Sequence, residues 1–429
     1  MIAAMDARGC RITGATPAGL HAFERALVSF QNWRAGADAA VEDALHKAPG
    51  FVMAHVLRAW QFLCSRDPRR MRLARPVFVK ADGLSSSLRE QRHLTAIAAV
   101  LGDDFEGAKA ALGALLKLHP RDVLALQVAH ALDHVTGDLA GLRERVAAVL
   151  PHWSYSMPGY HAVLAMHAFS LGECGEYERA EQAAHAALNA NALNARAHHA
   201  LAHVFEMTDR ADEGVHWLDR HADAWGRDTV VATHCRWHLA LFHLARGDGE
   251  AALALHDQHI GAGPSSDLSD LIDGAALLWR VELAGGDPGA RWARLAQAWV
   301  PRIDDGFCSF NDLHAMLSFV GARDWDSAKR LEQSLARAQQ LPTRHGETTR
   351  QLGLAACRAL MAFGTGNDAL TTTLLASLPA MAHRLGGSHA QRDVLHLTLL
   401  KSIERMRRPA RNGFRAGAGM AWNGREALA

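Results

Sequence analysis

The sequence lacks a strong excess of either charge. Its 46 Lys and Arg residues nearly balance its 45 Asp and Glu residues over 429 positions, which leaves a formal net charge of +1. Nucleic-acid binders normally carry a basic excess or a clustered basic face, so we expect no nucleic-acid partner. The chain also lacks any stretch near the roughly 18 uninterrupted apolar residues that a membrane-spanning helix needs, so we expect no membrane partner.

Cysteine is scarce and scattered along the chain. Six cysteines occur and none forms a C-x-x-C pair, which is typical of reduced thiols and not of a disulfide framework or a zinc finger. The opening residues lack the charged start, apolar run and small-residue cleavage site of a secretory signal. Both observations favour a cytoplasmic location.

The common catalytic and nucleotide-binding signatures are missing as well. The chain has no G-x-S-x-G nucleophile elbow, no G-x-x-x-x-G-K-[ST] phosphate loop and no G-x-G-x-x-G after a strand. Serine-nucleophile, nucleotide and dinucleotide chemistry therefore lose support, and no nucleotide cofactor is expected.

The sequence does contain helical patterns throughout. Ala, Leu, Arg, Glu and Gln dominate, and apolar residues recur at spacings of three and four. Turns recur every 34 to 38 residues, close to the roughly 34-residue tetratricopeptide period. These turns lie at Gly102, Gly137, Gly175, Asp209 and Gly247. The predicted fold class is all-α, a tetratricopeptide-type helical-hairpin solenoid forming a right-handed superhelix.

The predicted organisation has three parts. Residues 1–16 form an N-terminal extension, residues 17–406 a single α-solenoid, and residues 407–429 a mobile C-terminal tail. Regular hairpins are expected up to about residue 260 and less regular helices beyond it. No change of composition marks a second fold, while the tail is rich in Gly, Arg and Ala without a helical stripe.

Histidine is the unusual residue of this sequence. Of its 26 histidines, 14 lie between His152 and His259, about a quarter of the chain. Imidazole changes charge near neutral pH and is a common metal ligand. In a tetratricopeptide array the first helix of each hairpin lines the concave surface, and neighbouring helices lie about 8–10 Å apart. Histidines on successive first helices are therefore expected to converge.

Two successive first helices each carry an H-x-x-x-H pair. The pairs are His199 with His203 and His234 with His238, and Glu206 follows the first pair by three positions. Spacings of four and three place three side chains of one helix within an arc of about 60°. Such pairs can share a metal ion, here Zn, Fe or Mn. A hydrogen-bonded pocket of neutral histidines and unrelated structural histidines remain the alternatives.

Several stretches resemble the tetratricopeptide repeat protein 38 family. They are LREQRHLTA (88–96), HPRDVLALQVAH (119–130), LAHVFEM (201–207), THCRWHLALFHLARGDGEAAL (233–253), FNDLH (310–314) and LGGSHAQRDV (385–394). The likeness runs in order over roughly residues 17–400, and it implies a cytosolic helical solenoid without implying a particular reaction. The matching positions are His93, His130, His199, His203, Glu206, His234, Trp237, His238, Asp257, His259, Asn311, Asp312, His314, Gln391, Arg392 and Asp393.

Two mechanisms remain open at the matched positions. Without a metal, neutral His203 or His238 would act as general base, with Glu206 orienting an imidazole and Arg392 pairing a substrate anion. With a metal, the four paired histidines would be ligands, Glu206 or Asp257 would complete or support them, and a bound water would be the nucleophile. The remaining polar and aromatic positions are candidate substrate-binding residues: Trp237, His259, Asn311, Asp312, His314, Arg392 and Asp393.

The predicted function is an internal pocket, lined by His, Glu and Asp, that binds a small polar ligand and is either metal-dependent or a histidine acid–base enzyme. The alternative is a protein-interaction scaffold whose histidines are structural. Peptide-binding repeat grooves usually present Lys, Arg and Asn, but this chain has only six lysines. The small ligand therefore fits better than a protein partner, and whether the protein is an enzyme stays open.

Overall fold

Helices make up nearly all the regular structure of the computed structural model, which describes residues 4–261 and 267–407. Within these ranges the strands are β1 (Ala4–Met5) and β2 (Arg11–Ile12), two residues each, paired antiparallel with Ala4 opposite Ile12. The all-α prediction is confirmed. The predicted mobile tail lies outside the described residues except for residue 407, which ends the last helix.

The first twelve helices are α1 (Pro17–Gln31), α2 (Ala37–Lys47), α3 (Val52–Leu63), α4 (Pro68–Met71), α5 (Ala74–Asp82), α6 (Leu88–Leu101), α7 (Phe105–Leu118), α8 (Val123–Thr136), α9 (Leu139–Val149), α10 (Tyr160–Glu173), α11 (Tyr177–Ala190) and α12 (Ala195–Met207). The next seven are α13 (Ala211–Arg220), α14 (Ala222–Trp225), α15 (Ala232–Ala245), α16 (Gly249–Leu255), α17 (Leu268–Leu283), α18 (Arg291–Trp299) and α19 (Ser309–Gly321). The last seven are α20 (Trp325–Ala338), α21 (Arg344–Thr348), α22 (Leu354–Gly364), α23 (Asp368–Leu375), α24 (Leu378–Met381), α25 (His389–Arg392) and α26 (Val394–Arg407).

Two compact units share these helices. Unit one comprises Met1–Thr208 and Arg220–Ala232, and unit two comprises Asp209–Asp219 and Thr233–Ala429. The chain thus contributes a short segment to unit two before it returns to unit one. The single continuous solenoid over 17–406 stays a prediction.

Left-handed backbone occurs at four of the five predicted turn positions. They are Gly137, Gly175, Asp209 and Gly247. At the fifth position Gly102 keeps a φ of −95°, and the following residue, Asp103, takes φ +66°. Aspartate tolerates this conformation better than most side chains, because its short polar group can hydrogen-bond locally. The turn is therefore present, displaced by one residue.

Consecutive helices of unit one pack in pairs: α1 with α2, α6 with α7, α8 with α9 and α10 with α11. Small side chains allow this close packing, since Ala180, Ala184 and Ala187 form the buried face of α11 against α10. Helix starts are capped by side-chain oxygens, as at Asp122 before α8 and Asn194 before α12. The Asn194 cap fixes the start of α12, the helix that carries the histidine pair of unit one.

Unit two is built around α17, which packs against α18, α19 and α26. Trp279 of α17 is buried beside Phe363, and its indole N–H donates to the Thr398 hydroxyl of α26 at 2.9 Å. These contacts fix the position of α17, which also carries the buried Asp273.

Candidate functional site

The first histidine pair of the candidate site lies on α12 in unit one. Every residue of this helix from Ala195 to Phe205 is buried. His199 and His203 follow each other by one turn, with ring centroids 4.5 Å apart and planes at 88°. Their Nε2 atoms are 3.0 Å apart. The predicted alignment of these two imidazoles on one face is confirmed.

The separation of these two nitrogens suits either a hydrogen bond between them or a shared metal ion. In the protein alone, one imidazole must donate its Nε2 proton to the lone pair of the other. Two nitrogens that share a tetrahedral zinc ion at about 2.0–2.1 Å lie about 3.3 Å apart. The observed 3.0 Å is therefore close to the spacing that a shared ion needs.

An aromatic side chain fixes the orientation of the α12 pair. Phe169 of α10 stacks on His199 at 5.8 Å between centroids and meets the His203 ring edge-on at 5.4 Å. Trp33 contacts His199 edge-on from another side at 5.4 Å. Both imidazoles therefore sit among rings that restrict their rotation and exclude water.

Glu206 lies one turn beyond His203 on the same helix and is half-buried. The sequence predicts that it orients an imidazole, and that role stays a prediction.

The second histidine pair lies on α15 in unit two. The rings of His234 and His238 have centroids 4.9 Å apart at 77°. Trp237 lies parallel to the His234 ring at 5.1 Å and is wholly buried. The sequence correctly placed the two imidazoles together and Trp237 beside them.

A buried carboxylate supports this second pair. Asp273 of α17 accepts a hydrogen bond from His234 Nδ1 at 2.8 Å and, on its other oxygen, from the Gln391 side-chain amide at 3.1 Å. Its side chain is only 1% exposed. The contact keeps the His234 proton on Nδ1 and the lone pair on Nε2, an arrangement common behind metal-binding histidines.

Asp273 was missed by sequence reasoning. It is 39 residues from His234, so no local spacing connects them. The available signal was a carboxylate within the apolar run LIDGAALLW, because a charge buried there needs a partner.

The electrostatic environment keeps His238 neutral. Burial lowers the pKa of His238 well below the usual 6.5, and the charge of Arg280 lowers it further. The neutral imidazole is the form that binds metal or accepts a proton. His238 meets this requirement at neutral pH.

Other predicted residues of unit two lie near this pair. Asp393 forms an ion pair with Arg280, whose guanidinium lies 5.6 Å over the Trp237 ring. Arg392, proposed from the sequence as a partner for a substrate anion, donates instead to the Gly387 carbonyl of its own segment. Its role toward a substrate stays a prediction.

The remaining candidates have other described contacts. Asp312 pairs with His345 at 2.7 Å, and Asn311 and Asp312 line a small cavity at the start of α19. His314 is buried against the Phe310 carbonyl at 2.8 Å, and burial lowers its pKa to about 4. His259 is exposed at the end of a π-helical turn, His256–Ile260. Asp257 is also exposed and pairs with Arg291.

In each of the two pairs the ligand nitrogens lie within 4.8 Å of one another, a separation that two ligands of one metal ion can have. The prediction that all four histidines hold one ion draws on residues of both units and stays a prediction.

No family model matches this chain. The resemblance to the tetratricopeptide repeat protein 38 family therefore stays a prediction. In the described part of the chain, no helix combines the length and the apolar character needed to cross a bilayer.

Proposed function

We propose that this protein binds a divalent transition-metal ion through the histidines of α12 and α15 and uses it on a small polar substrate. The observation that carries the proposal is the 2.8 Å hydrogen bond between His234 Nδ1 and the buried Asp273 carboxylate. A solvated histidine needs no such support, whereas a ligand histidine gains basicity and a fixed tautomer from it.

The proposed scaffold is a tetratricopeptide-type array of helical hairpins forming a right-handed superhelix. The paired packing of consecutive helices in unit one and the recurrence of turns every 34 to 38 residues support it. So does the likeness to the tetratricopeptide repeat protein 38 family. In such an array the first helices carry the binding residues, and α12 and α15 occupy that place in the predicted order.

The ligand set favours particular metals. Imidazole ligands suit Zn²⁺ or Fe²⁺ better than Mn²⁺, whose sites are dominated by oxygen ligands. A bound ion of this kind polarises a substrate carbonyl or activates water near neutral pH. The protein's own contribution is to hold the His234 proton at Nδ1 through Asp273 and to keep His238 neutral by burial. Phe169 and Trp237 cover the two pairs and limit access of water.

Metal content of the purified full chain tests the proposal. We expect stoichiometric Zn or Fe by elemental analysis after expression in metal-supplemented medium. The double variants H199A/H203A and H234A/H238A should each lose metal, because an ion held by one imidazole pair fewer binds orders of magnitude more weakly. His21→Ala and His185→Ala remove histidines that are exposed on α1 and partly exposed on α11, and they should leave the metal content unchanged.

The stoichiometry decides how the pairs are used. One ion per chain that disappears in both double variants means that both pairs contribute to one site, while two ions, one lost in each variant, mean separate sites. A metal-free protein whose melting temperature does not respond to added Zn²⁺ or Fe²⁺ contradicts the proposal. That result favours a protein-interaction scaffold with structural histidines.

A further inference from the structure

A buried arginine in unit one lacks the partner that buried arginines normally have. The described part of unit one buries three arginines, Arg8, Arg89 and Arg196. Arg8 pairs with Glu24 at 2.7 Å and Arg89 with Asp122 at 2.6 Å. Arg196 forms no ion pair with any described residue; its one hydrogen bond is a long contact of 3.5 Å to a backbone carbonyl. No described carboxylate therefore compensates its charge.

The surroundings of Arg196 show that this charge is costly. The side chain is only 6% exposed. Burial lowers the pKa of Arg196 from 12.5 to about 9, with no carboxylate to oppose the effect. The same charge contributes to keeping the pKa of the neighbouring His130 low, at about 3, after burial itself. A buried charge is unfavourable unless it is paired, so a bound group of opposite charge would stabilise this arrangement.

Unused hydrogen-bonding groups occur at the end of α1, the segment that Arg196 contacts through a backbone carbonyl. Gln31, at the end of α1, is wholly buried, and neither its side-chain nitrogen nor its side-chain oxygen has a partner among the described residues. The Gln31 carbonyl is the group that Arg196 contacts. Gln127 of α8 donates to the adjacent Phe30 carbonyl at 3.0 Å, and its own side-chain oxygen also has no described partner. Gln31 and Gln127 thus have unused hydrogen-bonding groups near the end of α1, and Arg196 contacts the backbone of Gln31.

Trp33 connects this group to the α12 histidines. The Arg196 guanidinium lies 4.4 Å over the Trp33 ring, and the same ring contacts His199 at 5.4 Å. Trp33 has a φ of +53°, a conformation that a bulky side chain rarely adopts. Its carbonyl accepts from the Val230 amide at 2.8 Å, which holds the loop in place. The face of the guanidinium is covered, so its N–H edge is the part left to bind a ligand.

We propose that Arg196 and the Gln31 side chain bind a small oxyanion, the carboxylate or phosphate group of a small molecule. The planar guanidinium offers two parallel N–H groups to such an anion, and the Gln31 amide offers a third. Binding requires unit one alone and does not depend on a metal. Only the further role of this anion, as the anchor of a substrate that reaches His199, rests on the proposed function.

Oxyanion binding is tested on the chelator-treated full chain. Melting temperature is measured against increasing sodium acetate and, separately, inorganic phosphate, with sodium chloride at matched ionic strength as reference. We expect a saturable increase over chloride with at least one oxyanion. A response to acetate alone identifies a carboxylate site, and a response to phosphate alone identifies a phosphate site. No increase over chloride with either probe overturns the proposal.

Arg196→Met distinguishes a ligand-binding arginine from a structural one. Without oxyanion, R196M should melt at the same temperature as the wild type or higher, because it removes a buried unpaired charge. Its affinity for the oxyanion should fall about 10- to 100-fold, the effect of losing a charge-assisted hydrogen bond. Arg89→Met is the matched control, and it should melt at a lower temperature because it removes the arginine partner of the buried Asp122 carboxylate. An unchanged oxyanion response in R196M contradicts the proposal.

Gln31→Leu provides a second route should R196M fail to fold. It removes the unused amide at constant size, so it should weaken oxyanion binding about tenfold while the melting temperature without ligand stays equal or rises. An unchanged oxyanion affinity in Q31L contradicts the proposal. Metal content of the same variants separates the two ideas, since R196M and Q31L keep both histidine pairs. Wild-type protein that binds metal but does not respond to oxyanions contradicts only the oxyanion proposal. Protein that responds to oxyanions but binds no metal contradicts only the metal proposal.

Discussion

The histidine pairs of α12 and α15 share one sequence spacing and differ in what holds them. The α12 pair is held by aromatic rings and by the contact between its own two imidazoles. In the α15 pair, a buried carboxylate sets the proton position of His234. Aromatic rings restrict the orientation of an imidazole without favouring either tautomer. A carboxylate also determines which nitrogen carries the proton. The same H-x-x-x-H pattern can therefore give ligands of different basicity.

Lowering the pH should produce the largest effect on stability, and it tests whether the two units respond alike. Burial lowers the pKa of His130 to about 3 and of His198 to about 4 in unit one, and it lowers those of His238 and His314 in unit two. Below pH 6.5 these histidines bind protons in the unfolded chain but stay neutral in the folded chain. The free energy of unfolding therefore falls as the pH falls. The expected slope between pH 6.5 and 4.5 is about 1.4 kcal/mol per pH unit for each such histidine.

Urea denaturation of metal-free protein between pH 7.5 and 4.5 measures this slope. The slope should become small by about pH 7.5, one unit above the usual histidine pKa. His314→Gln should reduce the slope by the share of one histidine, while the exposed His21→Ala leaves it unchanged. A stability that is independent of pH between 7 and 5 contradicts the prediction. Two separate transitions with different pH dependence would show that the units respond differently.

Asp273→Asn should produce the next largest effect and sharpen the contrast between the pairs. The introduced amide can donate its N–H to His234 Nδ1 or accept a weaker hydrogen bond from it. The tautomer of His234 is then no longer fixed. Loss of such a supporting group typically weakens metal binding about 10- to 100-fold. Competition with a fluorescent chelator measures the affinity, and Asp326→Asn, which changes an exposed carboxylate of the same unit, should leave it unchanged. Equal affinities in D273N and wild type would remove the main support for the metal.

Phe169→Leu should have the smallest effect. It removes the ring that orients both imidazoles of the α12 pair, and an aromatic contact of this kind contributes about 0.5–1.5 kcal/mol. Metal affinity should therefore fall about threefold to tenfold. Phe319→Leu, in the core of unit two, controls for the loss of a buried ring. A loss in F169L as large as that in D273N would mean that rings and carboxylate support their pairs equally, and the comparison would fail.

Local patterns in the sequence predicted local geometry well. Spacing of four residues in a helix brings side chains together regardless of the fold, so the contacts within His199/His203 and within His234/His238 follow from α-helical geometry. The turns at Gly137, Gly175 and Gly247 were predictable because glycine takes positive φ without strain.

Residues that act across long sequence separations were not predictable in this way. Asp273 reaches His234 from α17, and Gln31 meets Arg196 across 165 positions. No local pattern encodes those meetings, since they arise from the packing of distant helices. A lone arginine in a helix is normally a surface residue, and only the structure shows that Arg196 is buried without a carboxylate.

The return of residues 220–232 to unit one limits how the protein can be divided. Arg34 near the N-terminus bridges to Thr229, and its guanidinium donates to the carbonyls of Ala224 and Arg227. A fragment ending at residue 208 would lose these contacts, and a fragment beginning at 209 would carry the missing strip with it. No single cut in the backbone separates the units cleanly. Whichever side of the exchanged segments is cut, one of the two fragments carries residues that belong to the other unit.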